Sequence, residues 1–301
     1  IAFSDGETII HRSAFVSRKD NVAVVKISSP SQSKLSYKFS LNQLPNTVDK
    51  NEFIPGVSNN PDDYTLKGNN AVREPANTVE EPEEQDEKFI EEEDDDFDEF
   101  NTANYVEPFE YTTKNNTLTY STKFKMKWEG SLKGYHVVTK IIPKGGSLTT
   151  QKGTITVNDA DEILIISKIG LDYKEDKNLL SQIKSKVETI KPSYDKILMS
   201  HSKIHGEMFN RFSFDLEEDT QLKVTAEELL ASSTPENFNP KLLVQLMKSS
   251  RYNNISSTGE NPPALQGIWS GTWWPAWSGD FTLNGNVPSS IASGLNSNFP
   301  E

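Results

Sequence analysis

Cysteine is absent from the 301-residue chain, which excludes thiol nucleophiles, disulfides and thiolate metal sites. Long apolar runs are absent as well. No window approaches the ~18 consecutive apolar residues of a membrane-spanning helix, so no membrane span is expected. Blocks of positive charge are lacking in a chain whose net charge is −13. Without clustered Lys and Arg to displace counterions from phosphates, no nucleic-acid partner is expected, and neutral sugars or small molecules are the better ligands. Gly-x-Ser-x-Gly elbows, Walker loops and dinucleotide fingerprints are all missing. No signal peptide is visible, yet the chain opens at Ile1 inside strand-like text rather than at Met, so Ile1 reads as a truncation or processing point.

The hydrophobic share of 34% is low for this length, and part of the deficit is local to the acidic residues 80–110. At roughly 100–200 residues per domain, two domains are expected. Runs at Ala14-Phe15-Val16, residues 22–27, and Leu35, Tyr37, Phe39 and Leu41 alternate with polar neighbours. Such period-two patterning makes one wet and one apolar face and predicts an antiparallel sheet. The pattern resumes at Leu118, Tyr120, Phe124, Met126 and Trp128, with Lys123, Lys125 and Lys127 on the other face. Gly145-Gly146 and Asp159-Ala160-Asp161 then punctuate further runs that end in Ile163-Leu164-Ile165-Ile166. Short strands at this spacing predict an all-β sandwich over 1–170, carrying an acidic insertion at about 46–112.

After Gly170 the period changes. Leu179, Leu180, Ile183, Val187 and Ile190 recur at helical spacing up to Pro192, and Tyr194, Ile197, Leu198, His201, Ile204 and Met208 carry a second stripe. Residues 171–223 therefore read as a helical linker that closes with a short strand over 211–216. Thr225-Ala226-Glu227-Glu228 reads as a helix start. Leu242, Leu243, Leu246 and Met247 predict a helix over 240–250 behind Asn237 and Asn239. Residues 224–301 read as the beginning of an all-helical domain.

Three groups are candidates for chemistry. Asp94, Asp96 and Asp98 alternate like the start of a calcium loop, but the sixth loop position is Glu99 instead of the required glycine. A solvated insertion is favoured there. His201 and His205 stand four apart on a helix, without the third ligand or the His-Glu-x-x-His pattern of a zinc site, so packing roles are favoured and no metal or cofactor is expected. The third group is residues 261–286, where Trp269, Trp273, Trp274 and Trp277 crowd beside Gly and Pro. Indole rings on irregular backbone offer flat faces to sugar C–H groups and also pack the end of a helical barrel, and both roles are expected, with one or two of the four near ligand. Asp280 is grouped with these four as substrate-binding. Asn284 and Asn286, if extended, share a face across Gly285 and could aim a water whose proton a carboxylate elsewhere would take. Satisfying loop backbone is the plainer role for such a pair.

The segments Pro263-Ala264-Leu265-Gln266-Gly267-Ile268-Trp269, Trp274-Pro275-Ala276-Trp277 and Asp280-Phe281-Thr282-Leu283-Asn284-x-Asn286 together resemble the hallmark of family 95 glycoside hydrolases. Weaker likeness extends to His11-Arg12-Ser13-Ala14-Phe15-Val16-Ser17 with residues 22–27, which resemble that family's sandwich, and to Arg251-Tyr252 with Ile255-Ser256-Ser257, which resemble the end of its first barrel helix. The resemblance implies a β-sandwich, a helical linker and an (α/α)6 barrel, cut within the barrel. It implies hydrolysis of terminal α-L-fucosides or α-L-galactosides with inversion, on fucosylated or galactosylated glycans. It further implies that Asn284 and Asn286 position the attacking water, that a catalytic Asp and a general-acid Glu lie downstream of the visible chain, and that the protein is secreted or periplasmic. A catalytically inactive carbohydrate-binding relative and another sandwich-plus-barrel glycosidase or phosphorylase are the alternatives. Gly285 stands where the family usually has an apolar residue, and residues 287–297 read as a loop inserted at the pocket rim, which bears on the sugar more than on the fold.

Overall fold

The computed structural model describes residues 1–5, 8–30, 33–41, 104–216, 224–234, 237–259, 261–264, 281–292, 294 and 297–298. The chain divides into two compact units, Ile1–Leu44 with Val106–Glu301, and Pro45–Tyr105. The second unit falls almost wholly outside the described residues, and with it the acidic stretch and Asp94, Asp96 and Asp98.

The first unit is built on two antiparallel sheets. The larger runs β1 (Ala2–Asp5), β2 (Thr8–Ser17), β3 (Val22–Ser28), β10 (Glu162–Asp172), β7 (Gly134–Lys144), β6 (Thr117–Lys123), β5 (Glu110–Lys114) in spatial order. The smaller runs β4 (Leu35–Ser40), β9 (Thr154–Ala160), β8 (Ser147–Gln151). Ile10, Leu118, Ile141 and Ile163 from the large sheet meet Leu35, Ile155, Val157 and Ala160 from the small one in a single buried cluster. Fully burying each such side chain contributes roughly 1.5–3 kcal/mol, enough together to fix which faces are inside.

The opposite face of the large sheet is covered by helices. Helix α1 (Leu179–Thr189) sets Ile183 and Val187 on Val138, and α2 (Tyr194–Asn210) sets Ile197 among Val22, Val24, Leu164 and Ile166. A strand buried on both faces loses its alternation and reads as a continuous apolar run, which is why Ile163-Leu164-Ile165-Ile166 lies at the centre of the sheet. Gly170 admits α1 closely, since a Cβ there would lie 2.1 Å from Ile183 Cδ1.

Two strand expectations end differently. The alternation through Met126 and Trp128 outlasts its strand: β6 pairs with β7 only as far as Lys123 opposite Gly134, where β7 begins. Beyond that rung Phe124 keeps one bridge to Val106, while Met126 and Trp128 are exposed. Residues 211–216 form a turn and irregular chain instead of a strand, with no described strand beside them to pair with.

The helices that follow are α3 (Ala226–Ala231), α4 (Pro240–Ser257) and α5 (Asn286–Ile291). Thr225 and Glu228 form a reciprocal cap at α3, the Thr225 hydroxyl accepting from Glu228 N and Thr225 N donating to the Glu228 carboxylate at 2.9 Å. Asn239 caps α4, whose first residue is Pro240. Helix α4 runs on to Ser257, past the polar residues where its pattern fades, because Ile255 at its far end is fully buried against Met208 of α2. Among the described residues these three helices do not close a barrel.

Gly145 and Gly146 carry the chain from the large sheet to the small one, with φ of 71° and 68°. A Cβ on Gly146 would lie 2.2 Å from the Asn158 carbonyl oxygen and 2.6 Å from Asp159 C, both backbone. On Gly145 it would meet the carboxylate of Asp161, an exposed side chain able to move. Gly146→Ala is expected to cost about 1–3 kcal/mol from strain, and more than Gly145→Ala; urea unfolding midpoints of the two variants check the order.

Candidate functional site

Helix α2 ends with unsatisfied carbonyls, as every helix does. Arg251, in the penultimate turn of α4, satisfies two of them: Nη2 donates to Met208 O and Nε donates to Phe209 O at 2.9 Å. Its Nη1 donates to Ser297 O at 2.8 Å and to Ser297 Oγ at 3.0 Å. The guanidinium also faces the Phe212 ring at 5.6 Å. Burial, and then the nearby Arg211, draws its pKa below the ordinary arginine value, but the group remains a cation.

Three residues further along the same helix, Asn254 donates from Nδ2 to Ser290 O at 3.1 Å, and its buried Oδ1 has no partner among the described residues. Helical spacing puts Arg251 and Asn254 on neighbouring ridges, and together they hold the segment that contains Asn284 and Asn286. Val287 fills the core behind that segment.

The expected extended geometry of Asn284-Gly285-Asn286 is not what the chain adopts. Leu283, Asn284 and Gly285 form a turn after Thr282, whose φ is 42°, and Asn286 is the first residue of α5. Val287 N and Gly285 N both point back to Thr282 O, and Ser289 N donates to Gly285 O at 3.0 Å. Residues two apart at a helix start do not share a face as they do in a strand. The reason lies in the sequel: once Val287 is drawn into the core, residues 286–291 wind as a helix, so the expected rim loop is α5 followed by turns at Gly294 and Ser297. Asn284, in the turn, and Asn286, at the start of α5, are nevertheless both exposed, and among the described residues a Cβ on Gly285 would meet nothing within 4 Å. Trp269, Trp273, Trp274, Trp277 and Asp280 lie outside the described residues.

A second arginine ties this helical part to the sandwich. Arg18, in the turn between β2 and β3, donates from Nη2 to Ile255 O and to Thr258 O, the latter at 3.0 Å, at the C-terminal end of α4. Its backbone N–H donates to His201 Nδ1 at 3.3 Å. His201 stacks on Phe15 with ring centres 5.3 Å apart, His205 follows at 5.5 Å, and Tyr252 lies 5.0 Å beyond His205. His205 Nε2 is 3.4 Å from Ser256 Oγ. The two histidines thus form the middle of a ring row from β2 to α4. Among the described residues no group of three or more His, Asp or Glu could hold a metal ion.

Neither Arg18 nor Asn254 was singled out by sequence reasoning, and Arg251 entered only as part of a likeness. Their partners lie 36 to 240 residues away in the chain, and no local periodicity reports such pairs.

Two outcomes are expected. Arg251→Ala should cost about 1.5–3 kcal/mol through its charged hydrogen bonds, with Arg251→Lys recovering only part because an ammonium has no fork; chemical unfolding checks both. Burial first, and Arg18 with it, lowers the pKa of His201, and burial, His201 and Arg18 lower that of His205. Depressed histidines are neutral when folded, so the unfolded chain binds more protons and stability rises with pH. The contribution is complete above the ordinary histidine value near 6.5 and is lost as the pH falls below it toward the lowered folded values. His201→Asn should shrink the drop in urea midpoint between about pH 7.5 and about pH 5.5.

Residues 193–290 match the glycosyl hydrolase family 95 catalytic domain. A probable alpha-fucosidase A of Aspergillus niger is 28% identical over 169 residues, which is 50% of this chain and 21% of that relative, so the chain spans about a fifth of the relative's length. A solved human-microbiome protein assigned by name as a kojibiose phosphorylase aligns with 88% of this chain and 28% of its own at 12% identity and a TM-score of 0.43, a similarity too distant to decide the fold. The catalytic-domain match takes in α2, α4 and the segment of Asn284 and Asn286 that Arg251 and Asn254 hold, and with the likeness to the Aspergillus relative it supports membership of glycoside hydrolase family 95.

Proposed function

We propose that the protein is an exo-acting, inverting glycoside hydrolase that releases terminal α-L-fucose or α-L-galactose from glycans, with Asn284 and Asn286 positioning the attacking water. The observation that carries this reading is the family 95 catalytic-domain match over 193–290, which includes both asparagines. The likeness to a protein named as an alpha-fucosidase supports the choice of sugar. An amide is a poor base, but its carbonyl oxygen accepts from a water and so directs the water's lone pair. Two exposed amides flanking Gly285, with no described residue near the position of its Cβ, suit that task.

Inversion needs an acid and a base on opposite sides of the sugar, about 6.5–9.5 Å apart, to admit the water. In this reading a Glu and an Asp later in an (α/α)6 barrel supply them, Trp269, Trp273, Trp274, Trp277 and Asp280 line the sugar site, and the enzyme acts outside the cytoplasm, secreted or periplasmic. The helical half is then the start of the barrel, with Arg251 and Asn254 holding the water-directing turn against its first long helix.

The test is hydrolysis of aryl α-L-fucoside and α-L-galactoside by the complete protein, with the anomer first released followed by NMR. Asn284→Ala and Asn286→Ala should each lower kcat on the order of 10²-fold or more. Variants that keep wild-type kcat while losing only soluble yield would restrict the asparagines to a folding role, and release of the retained anomer would reject inversion.

A further inference from the structure

A cleft of about 330 Å³ lies between the β2–β3 turn and the junction of α1 with α2, lined among others by Lys19, Lys186, Lys191 and Lys196. Its lining includes Ile190 and the buried Ile197, and among the described residues no aromatic side chain lines it. The volume is at the lower end of the range for small-ligand sites, roughly 300–1,000 Å³. Absence of a ring from the lining removes the usual stacking platform for a neutral sugar. Recognition here has to be electrostatic.

The four ammoniums have no carboxylate partner among the described residues. Asp20, the one acidic group in the lining, accepts a hydrogen bond from Ser17 Oγ at 3.0 Å. Glu188, on the same helix as Lys186, pairs with Lys140 instead. Thr189 and Ser200 donate their hydroxyl hydrogens to their own helices, to Lys186 O and Ile197 O, each at 2.8 Å. That leaves the lysines as the donors facing the cleft. Lys168 reports the same field from beneath: buried in β10 and donating to Asn21 O at 2.9 Å, it is drawn below the usual lysine value first by burial and then by Lys186. Residues 80–110 hold 16 of the 44 acidic residues and one lysine, so the remainder of the chain, which builds this cleft, carries a net charge of +2 rather than −13.

We propose that this cleft binds an anionic glycan, a saccharide bearing sulfate ester or carboxylate groups, through Lys19, Lys186, Lys191 and Lys196. The inference deepens the glycosidase reading and rests on it for the saccharide, while the lysines alone supply the demand for negative charge. Ammonium groups are point charges without a fork, so they select for charge and leave the choice between sulfate and carboxylate open. The cleft lies on the sandwich and linker helices, and none of its residues belongs to the turn of Asn284 and Asn286. It would hold the polymer rather than the reacting sugar.

The experiment is calorimetric titration of the complete protein with a sulfated α-L-fucan oligosaccharide, its desulfated twin, an oligogalacturonate, inorganic sulfate and a short DNA duplex. Binding of the sulfated or the uronate chain, absent for the desulfated one and falling as salt is raised, is the expected result. Lys191→Ala with Lys196→Ala should weaken it at least about tenfold, with Tm unchanged and hydrolysis of a neutral aryl α-L-fucoside unchanged, since these exposed side chains hold no core. Equal affinity for sulfated and desulfated chains, no loss in the double variant, or no binding of either anionic glycan overturns the proposal. Equal affinity for DNA or for inorganic sulfate overturns the assignment to a glycan. Loss of aryl fucoside hydrolysis by the wild type would count against the glycosidase reading alone, because the titration does not depend on turnover.

Discussion

One guanidinium gathers three distant stretches of chain. Arg251 leaves α4, caps the last carbonyls of α2 and holds Ser297 beyond α5. A helix C-terminus buried against other chain needs its carbonyls satisfied, and a forked cation that complements the negative end of the helix dipole does this for two of them at once. Arg18 repeats the device in the other direction, from a turn of the sandwich to the C-terminal end of α4. The two forks join the sandwich, α2, α4 and the stretch at Ser297 through charge-assisted bonds. What Arg251 grips is backbone, so the arrangement constrains where the segment at 297 runs without dictating the side chains it carries.

Much of the sandwich is legible from residues because burial imposes periods. Tyr37 and Phe39 alternate because β4 has one covered face, while residues 163–166 do not alternate because β10 has two. The helical stripes of α1 and α2 follow from the same logic, each helix turning one face to the sheet. Periodicity reports the faces of an element and is silent about its neighbours. The alternation at Met126 and Trp128 therefore reads as strand although β7 offers no partner past Gly134, and the apolar residues of 211–216 read as strand although no described strand lies beside them. Strand order, with β10 between β3 and β7, has no local signal at all.

At the candidate site the same limit applies more sharply. Asn284 and Asn286 were found as residue types, and their presence on an exposed turn agrees with a role toward solvent-borne groups. Their spacing reads as extended because nothing local reports that Val287, behind them, is buried and that the chain winds into α5 there. The supports of the turn, Arg251 and Asn254, act on backbone carbonyls of Ser297 and Ser290, and a carbonyl has no sequence. Such supports become visible only once the fold has brought them together.

Charge is divided along this chain in a way the net value hides. The acidic residues concentrate in one stretch of sequence, while the sandwich and its helices together are close to neutral and gather four lysines at a single corner. A neutral body can carry a local positive field because screening over about 8–10 Å in physiological salt isolates one surface from another. The two surfaces then ask different things of a carbohydrate. The turn of Asn284 and Asn286 offers uncharged amides, which suit a neutral terminal sugar and a water, and the lysine corner offers charge without rings or free hydroxyl donors. Under the two proposals, the saccharide is neutral where it is cut and anionic where it is held, and that pairing of demands follows from the side chains each surface presents.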